Sequence, residues 1–138
     1  LVIVGEGRNK DREYLKKLAS NKNKFIRFES NMSDHEMLNL YRKSVLLCIG
    51  AHLEPFGLTS LEAQSSGTPV VGVAEGGIPE TIINGETGYT VPRESTIFLE
   101  AVKKTIANYH HLGRKARLVM RRNWDVKRLV NDISTILR

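Results

Sequence analysis

Residues 45–62 read VLLCIGAHLEPFGLTSLE, and this stretch decides which fold we expect. It opens with five apolar residues, 45–49, which predict a strand that is buried on both faces. A glycine-containing turn follows, and residues 58–66 predict a helix that ends at Gly67. The single cysteine, Cys48, lies inside the apolar run, so we expect a buried thiol and no internal disulfide. A buried strand, a glycine turn and a helix form the repeating unit of a parallel α/β sheet.

The same alternation continues on both sides of this stretch. Further strands are expected at residues 1–4, 25–28, 69–73 and 89–91. Further helices are expected at residues 10–20, 33–42, 79–83, 95–109, 113–122 and 125–137. The helix at 33–42 begins with Ser33 and Glu36, which have the spacing of a capping box. No repeat, low-complexity tract or linker interrupts the order, so we expect one doubly wound parallel α/β domain with C-terminal helices.

Composition and charge limit the classes of function. Hydrophobic residues make up 41% and charged residues 26% of the 138 residues, as in ordinary globular domains, and the apolar runs are too short to cross a bilayer. The net charge of +6 is concentrated in residues 101–138, which contain ten lysines or arginines and two aspartates. Such a basic tail fits an anionic membrane surface, nucleic acid or a solvated helix face. Its aromatic residues are Tyr109 and Trp124, which are too few to predict base stacking on RNA.

Two carboxylates, Glu54 and Glu62, flank the turn and lie eight positions apart. The first amides of the predicted helix, those of Leu58, Thr59 and Ser60, lack helical partners and lie at the positive end of the helix dipole, which favours a phosphate group. Glu62 lies one turn further along, and its side chain points back towards the same ligand, where it would accept two hydrogen bonds from a vicinal diol. Two simpler interpretations stay open: a capping box formed by Thr59 and Glu62, and a solvated loop carboxylate at Glu54.

Several ordered motifs resemble those of one enzyme family. They are residues 54–63, 67–71, 76–80 and 84–89. These motifs resemble the C-terminal half of group 1 (family 4) retaining glycosyltransferases, which have a GT-B fold of two Rossmann-like domains around a cleft. The resemblance implies a Rossmann-like nucleotide-sugar-binding domain over residues 1–138 that is truncated at its N-terminus. The first strand, the Arg and Lys that neutralise the donor diphosphate, and the acceptor-binding domain with its catalytic-site His would then lie upstream.

The resemblance also implies a role for each candidate site residue. The donor-binding residues would be Glu62, Phe56, Gly57, Leu58, Thr59, Ser60, Gly76, Gly77, Ser30, Asn31 and Met32. Glu62 would bind the ribose hydroxyls of the donor nucleotide. Glu54, the candidate catalytic residue, would hold the hydroxyls of the transferred sugar. The backbone amides of residues 56–58 would meet the sugar and the phosphates, together with Thr59 or Ser60.

Two further segments complete the implied site. The glycine pair at 76–77 would line the cleft, and a plain connection between strand and helix stays open as the alternative. Residues 30–32 would pack on the base through backbone contacts. The family often has Pro-Ser where this chain has Gly50 and Ala51, and neither position bears a candidate carboxylate.

The activity that the resemblance implies is transfer of a sugar from a UDP-sugar or GDP-sugar to an acceptor hydroxyl, with retention of the anomeric configuration. Glu54 would orient the donor, and the leaving diphosphate would help to deprotonate the acceptor. The acceptor would be a sugar or a lipid-linked molecule. The protein would lie in the cytoplasm, where its basic tail would make peripheral contact with an anionic membrane. We expect no metal and no cofactor, because the sequence has neither Asp-x-Asp nor a His/Cys/Asp cluster at ligand spacing.

Two alternatives stay open. One is a sugar phosphorylase or sugar-phosphate synthase of the same fold, although no lysine lies in the setting of a pyridoxal phosphate site. The other is a basic module on a Rossmann-like scaffold that binds a membrane or nucleic acid. The four histidines, His35, His52, His110 and His111, match no catalytic role of the family.

Overall fold

The computed structural model describes residues 1–19 and 25–125. Strands and helices alternate throughout these residues. The strands are β1 (Val2–Val4), β2 (Arg27–Glu29), β3 (Leu47–Ile49), β4 (Val70–Val73) and β5 (Gly88–Val91). The helices are α1 (Asn9–Ala19), α2 (Asp34–Lys43), α3 (Leu58–Ser65), α4 (Ile78–Thr81) and α5 (Ser95–Asn123). The helix expected at 125–137 lies, apart from its first residue, outside the described residues.

The chain divides into two compact units, Leu1–Met37 and Leu38–Arg138. In the first unit, β1 pairs in parallel with β2, with Ile3 opposite Phe28. The predicted capping box at the start of α2 is confirmed, because the backbone amide of Ser33 donates to Glu36 Oε2 at 2.8 Å. The same carboxylate oxygen accepts a hydrogen bond from the Ser33 hydroxyl at 2.7 Å. These bonds hold the pKa of Glu36 below its usual range.

The second unit is built on a parallel sheet in the order β3-β4-β5. All four residues of the central strand β4 are buried, as its apolar sequence predicts. The helices α3, α4 and α5 contact this sheet, and α4 lies so close to β4 that a Cβ at Gly72 would come within 2.5 Å of Ile78 Cγ2. The second unit therefore contains the larger part of the described core, and the predicted α/β organisation with parallel strands is confirmed.

The predicted burial of residues 45–49 is confirmed at Ile49 but was wrong at Val45 and Cys48. The strand is limited to Leu47–Ile49, and both Val45 and Cys48 are exposed. The structural reason is that, within the described residues, β3 pairs with β4 alone and is an edge strand of its sheet. An apolar run predicts a strand. The burial of that strand depends on the strands and helices that pack against it, and the run itself does not specify them.

The helices predicted at 95–109 and 113–122 lie within α5, which is kinked at Asn108, where the backbone is not helical (φ −127°, ψ 16°). The predicted division into two helices is confirmed, although residues 110–112, expected to separate them, are helical and the break lies at Asn108. Gly113 stays helical and is buried. A Cβ at Gly113 would overlap the carbonyl oxygen of Gly67, which has φ +87° and ends α3 as predicted. This close approach of two backbones explains why residue 113 is a glycine.

Candidate functional site

Two turns at the carboxyl ends of β3 and β4 contact each other through their backbones. The Gly77 amide donates to the Glu54 carbonyl oxygen at 2.8 Å. Gly76 has φ +57°, and a Cβ there would overlap the same carbonyl oxygen. A Cβ at Gly77 would lie 2.6 Å from the Cα of Phe56. The structure therefore brings the predicted glycine pair against the predicted loop, in a contact that has no room for a side chain.

Glu62 lies on α3 and is not a helix cap. The helix begins after Gly57, which has φ +85°, and no side chain caps it. The capping box of Thr59 and Glu62 is thus wrong, since Thr59 is already the second residue of the helix. Glu62 is exposed, and its Oε2 accepts a hydrogen bond from the Tyr41 hydroxyl at 3.0 Å. Glu54 is half-buried in the loop that precedes α3.

The start of α3 leaves two amides without a partner among the described residues, those of Leu58 and Thr59. The amides of Ser60 and Leu61 donate to the Gly57 carbonyl at 2.9 and 3.2 Å. Gly57 itself is buried, and a Cβ there would lie 3.1 Å from Ile78 Cδ1. An anion at this position would therefore meet two backbone donors and the positive end of the helix dipole.

The Ser60 hydroxyl is not available to a ligand. Ser60 is fully buried, and its Oγ accepts hydrogen bonds from Gln64 Nε2 at 3.0 Å and from Thr81 Oγ1 at 2.8 Å. Thr81 belongs to α4, so these bonds join α3 to α4 inside the core. Of the two hydroxyls predicted to meet the phosphates, the structure leaves only that of Thr59 exposed.

The aromatic ring of Phe56 packs against the end of α5. Its centroid lies 5.7 Å from that of Trp124, with an edge-to-face angle of 76°. The two rings belong to segments almost seventy residues apart, and the sequence pattern alone did not pair them. Phe56 is still 43% exposed, and the backbone contact with a ligand that the resemblance implies for it stays a prediction.

An ion-pair cluster that sequence analysis missed supports the loop before Glu54. Arg93 follows β5, and its guanidinium makes two hydrogen bonds of 2.7 Å to the carboxylate of Glu75, which follows β4. The same guanidinium donates to the carbonyl oxygens of Gly50 at 3.1 Å and Ala51 at 2.9 Å. His52 Nδ1 lies 3.1 Å from Glu75 Oε2. Hydrogen bonds from Arg93, followed by its positive charge and that of His52, outweigh desolvation and hold the pKa of Glu75 below its usual range.

Replacing Arg93 with methionine is expected to lower the melting temperature by a few degrees near neutral pH. The pKa of Glu75 is lower in the folded chain than its ordinary value of 4.5. The ion pair therefore contributes its full stability above pH 4.5, and this stability is lost as the pH falls through the folded pKa. The difference in melting temperature between the wild type and Arg93→Met should therefore become smaller at acidic pH. A residual difference should remain, because the bonds to Gly50 and Ala51 do not titrate. Thermal melts at a series of pH values measure this.

Lys103→Met is the matched control, because Lys103 pairs with Glu100 one helical turn away on an exposed surface. Such pairs contribute little to stability. Equal effects of the two substitutions at every pH would contradict a special role for Arg93.

Residues 30–32 lie in the first unit, directly after β2. Ser30 and Asn31 are exposed, Met32 is half-buried, and Asn31 adopts a left-handed backbone with φ +53°. Their contact with a base stays a prediction. Within residues 1–19 and 25–125, no group of three or more His, Cys, Asp or Glu side chains is arranged to hold a metal ion. In the same part of the chain, no helix has the length and apolarity needed to cross a membrane.

Comparison with known proteins identifies the family. Residues 1–123 match the family described as glycosyl transferases group 1. This chain belongs to that family. The match covers all five strands and all five helices of the described structure, so the resemblance predicted from the motifs is confirmed.

Individual relatives agree with this assignment. The chain is 32% identical over 123 residues to a glycogen synthase of Mycobacterium tuberculosis, a match that covers 88% of this chain and 30% of the relative. Sucrose-phosphate synthase from Thermosynechococcus elongatus superposes with a TM-score of 0.81 at 27% identity, over 100% of this chain and 37% of that chain. Anabaena HepE, solved in complex with UDP, has the same fold, with a TM-score of 0.77 at 23% identity over 99% of this chain and 40% of HepE. The chain thus spans less than half the length of each of these relatives.

Proposed function

We propose that this chain is the donor-binding part of a retaining glycosyltransferase that transfers a sugar from a nucleotide diphosphate sugar to an acceptor hydroxyl. The observation on which the proposal rests is the backbone contact between the Glu54 loop and the glycine pair 76–77. It lies at the carboxyl ends of neighbouring parallel strands, where ligands of open α/β sheets bind. It also adjoins the two unpaired amides at the start of α3.

Each group of the site has a chemical task in this proposal. The carboxylate of Glu62 accepts hydrogen bonds from the vicinal hydroxyls of the ribose. The amides of Leu58 and Thr59 donate to the diphosphate, whose negative charge the helix dipole stabilises. Glu54 accepts hydrogen bonds from hydroxyls of the transferred sugar and fixes the position of its anomeric carbon.

The reaction that we propose exchanges one bond at the anomeric carbon for another. The bond to the diphosphate oxygen breaks, and a bond to the acceptor oxygen forms on the same face of the sugar ring. The acceptor proton passes to the leaving diphosphate. Glu54 orients the donor in this scheme and does not act as a nucleophile, so no covalent sugar–enzyme intermediate is required.

We further propose a UDP-sugar or GDP-sugar as donor and a sugar or lipid-linked molecule as acceptor. HepE was solved with UDP, which makes UDP the first nucleotide to test. Because the fold is similar to that of sucrose-phosphate synthase, the proposal includes a sugar phosphate as a product of the transfer. Exposed basic residues on α5 are compatible with peripheral contact with an anionic membrane, and this contact and a cytoplasmic location stay predictions.

Titration of the chain with UDP and GDP, followed by calorimetry or ligand-observed NMR, tests the proposal. We expect binding in the millimolar range to at least one nucleotide, and we expect Glu62→Gln to weaken it about tenfold, since a hydrogen bond to a charged acceptor is lost. Glu86→Gln is the matched control, because Glu86 is exposed in the turn before β5, at the opposite end of the sheet. Absence of binding to both nucleotides, or equal effects of the two substitutions, would overturn the proposal.

A further inference from the structure

A buried tyrosine holds the exposed carboxylate of Glu62. Tyr41 lies on α2 and is 6% exposed, yet its hydroxyl lies 3.0 Å from Glu62 Oε2. Among the described residues, Tyr41 is the one side chain that donates a hydrogen bond to the Glu62 carboxylate. The contact therefore joins a fixed group inside the protein to a group on its surface.

The backbone of Tyr41 is anchored to the end of the helix on which Glu62 lies. The hydroxyl of Thr68 donates to the Tyr41 carbonyl oxygen at 2.6 Å, and the amide of Ser44 donates to the same oxygen at 2.9 Å. Thr68 is itself buried, and its amide donates to the carbonyl of Ala63 in α3 at 2.9 Å. Tyr41 is thus fixed relative to α3 before its hydroxyl reaches Glu62.

The phenol is a permanent hydrogen-bond donor. Burial, with the hydrogen bond and the negative charge of Glu62 added to it, raises the pKa of Tyr41 well above its usual value. The hydroxyl therefore stays protonated at every pH at which the protein would be studied. It can only donate to a carboxylate oxygen, and it leaves the other oxygen and the remaining lone pairs of Glu62 for a ligand.

We propose that Tyr41 is a positioning residue, which fixes the Glu62 carboxylate in the orientation that receives the two ribose hydroxyls of the donor nucleotide. This inference rests on the proposed function and adds a residue outside the binding loop to it. A free glutamate side chain must be ordered when a ligand binds, and this ordering reduces affinity. The Tyr41 hydroxyl orders the Glu62 side chain before the ligand binds. Its effect on affinity should therefore depend both on Glu62 and on the ribose hydroxyls.

The test is the affinity of four forms of the chain for UDP and for 2′,3′-dideoxy-UDP. The forms are the wild type, Tyr41→Phe, Glu62→Gln and the double variant. Phenylalanine keeps the buried ring and removes the hydroxyl. We expect Tyr41→Phe to weaken UDP binding about three- to tenfold and to leave dideoxy-UDP binding unchanged. In the Glu62→Gln background, the loss of the Tyr41 hydroxyl should have no further effect.

Tyr14→Phe is the control, because Tyr14 is exposed on α1. Equal weakening of both nucleotides by Tyr41→Phe would show a merely structural role and overturn the inference, as would no effect on UDP binding while Glu62→Gln weakens it. A wild type that binds both nucleotides equally would instead overturn the ribose role of Glu62, and the inference with it.

A second measurement does not depend on the folding of Tyr41→Phe. The tyrosines are replaced by 3-fluorotyrosine, and the fluorine signals are recorded with and without UDP. We expect the Tyr41 signal to shift on addition of UDP to the wild type and to stay in place in Glu62→Gln. A signal that does not move in either form would overturn the inference.

Discussion

Gly76→Ala is expected to destabilise the second unit by about 3 kcal/mol and to abolish measurable binding of UDP. A left-handed φ costs a residue with a Cβ about 1–2 kcal/mol, and Gly76 has φ +57°. The overlap of that Cβ with the Glu54 carbonyl adds the cost of forcing the two turns apart, about 1–3 kcal/mol for a tightly packed contact. The displaced loop leads directly into α3, so the amides of Leu58 and Thr59, which are proposed to bind the diphosphate of UDP, move together with Glu54.

Gly85→Ala separates these two costs. Gly85 also has a left-handed backbone, with φ +79°, but a Cβ there would meet no atom within 4 Å. It should cost only the conformational part, about 1–2 kcal/mol, and leave UDP binding unchanged. Urea denaturation followed by circular dichroism gives both free energies. If the two variants lose equal stability, the contact between the glycine pair and the Glu54 loop contributes nothing measurable.

Gly113→Ala is expected to destabilise the chain by about 2 kcal/mol, against the direction that helix propensity predicts. In the interior of an exposed helix, alanine is more favourable than glycine by about 1 kcal/mol. At Gly113, however, the new Cβ would overlap the Gly67 carbonyl oxygen and approach Pro69 Cδ to 3.5 Å. The helix α5 must then move away from the end of α3, and the buried contact between them is lost.

Lys115→Gly calibrates the helix propensity in the same helix, because Lys115 is exposed on α5, two residues from Gly113 and away from the kink at Asn108. It should cost about 1 kcal/mol, as expected for glycine in an exposed helix. Urea denaturation of both variants gives the comparison. A stabilised or unchanged Gly113→Ala chain would show that α5 is not held against Gly67 as closely as the structure indicates.

Local signals predicted much of the fold. The capping box of Ser33 and Glu36 fixed the start of α2, and Gly67 fixed the end of α3, because each depends on atoms within a few residues. The packing role of Gly113 was not predicted, because the need for a glycine there comes from the carbonyl oxygen of Gly67, which is distant in sequence. The exposure of Cys48 was likewise decided by the pairing of β3 and not by its composition.

The motif identified the candidate site residues that it contains, and their role in donor binding stays a prediction. The spacing of Glu54, Glu62 and the glycine pair was enough to bring these residues into the hypothesis. Tyr41 and Arg93 lie outside the motif, and their contacts join residues 21 and 18 positions apart. One signal could have found Arg93: it follows β5 as Glu75 follows β4, and the ends of neighbouring parallel strands meet at one edge of the sheet. No comparable signal indicated Tyr41, whose ring the periodicity of α2 assigns to the core.

The contact between the Glu54 loop and the glycine pair consists of main-chain atoms: the Gly77 amide, the Glu54 carbonyl and the Phe56 Cα. Main-chain atoms are the same for every amino acid, so the shape of this frame does not depend on which side chains the loop presents. Side chains in residues 52–56 other than that of Glu54 can therefore be varied without removing the backbone atoms of this contact, and Glu54 is kept because its carboxylate is the proposed sugar-binding group. A search for variants that accept a different sugar would begin with these side chains and would leave Gly76 and Gly77 untouched.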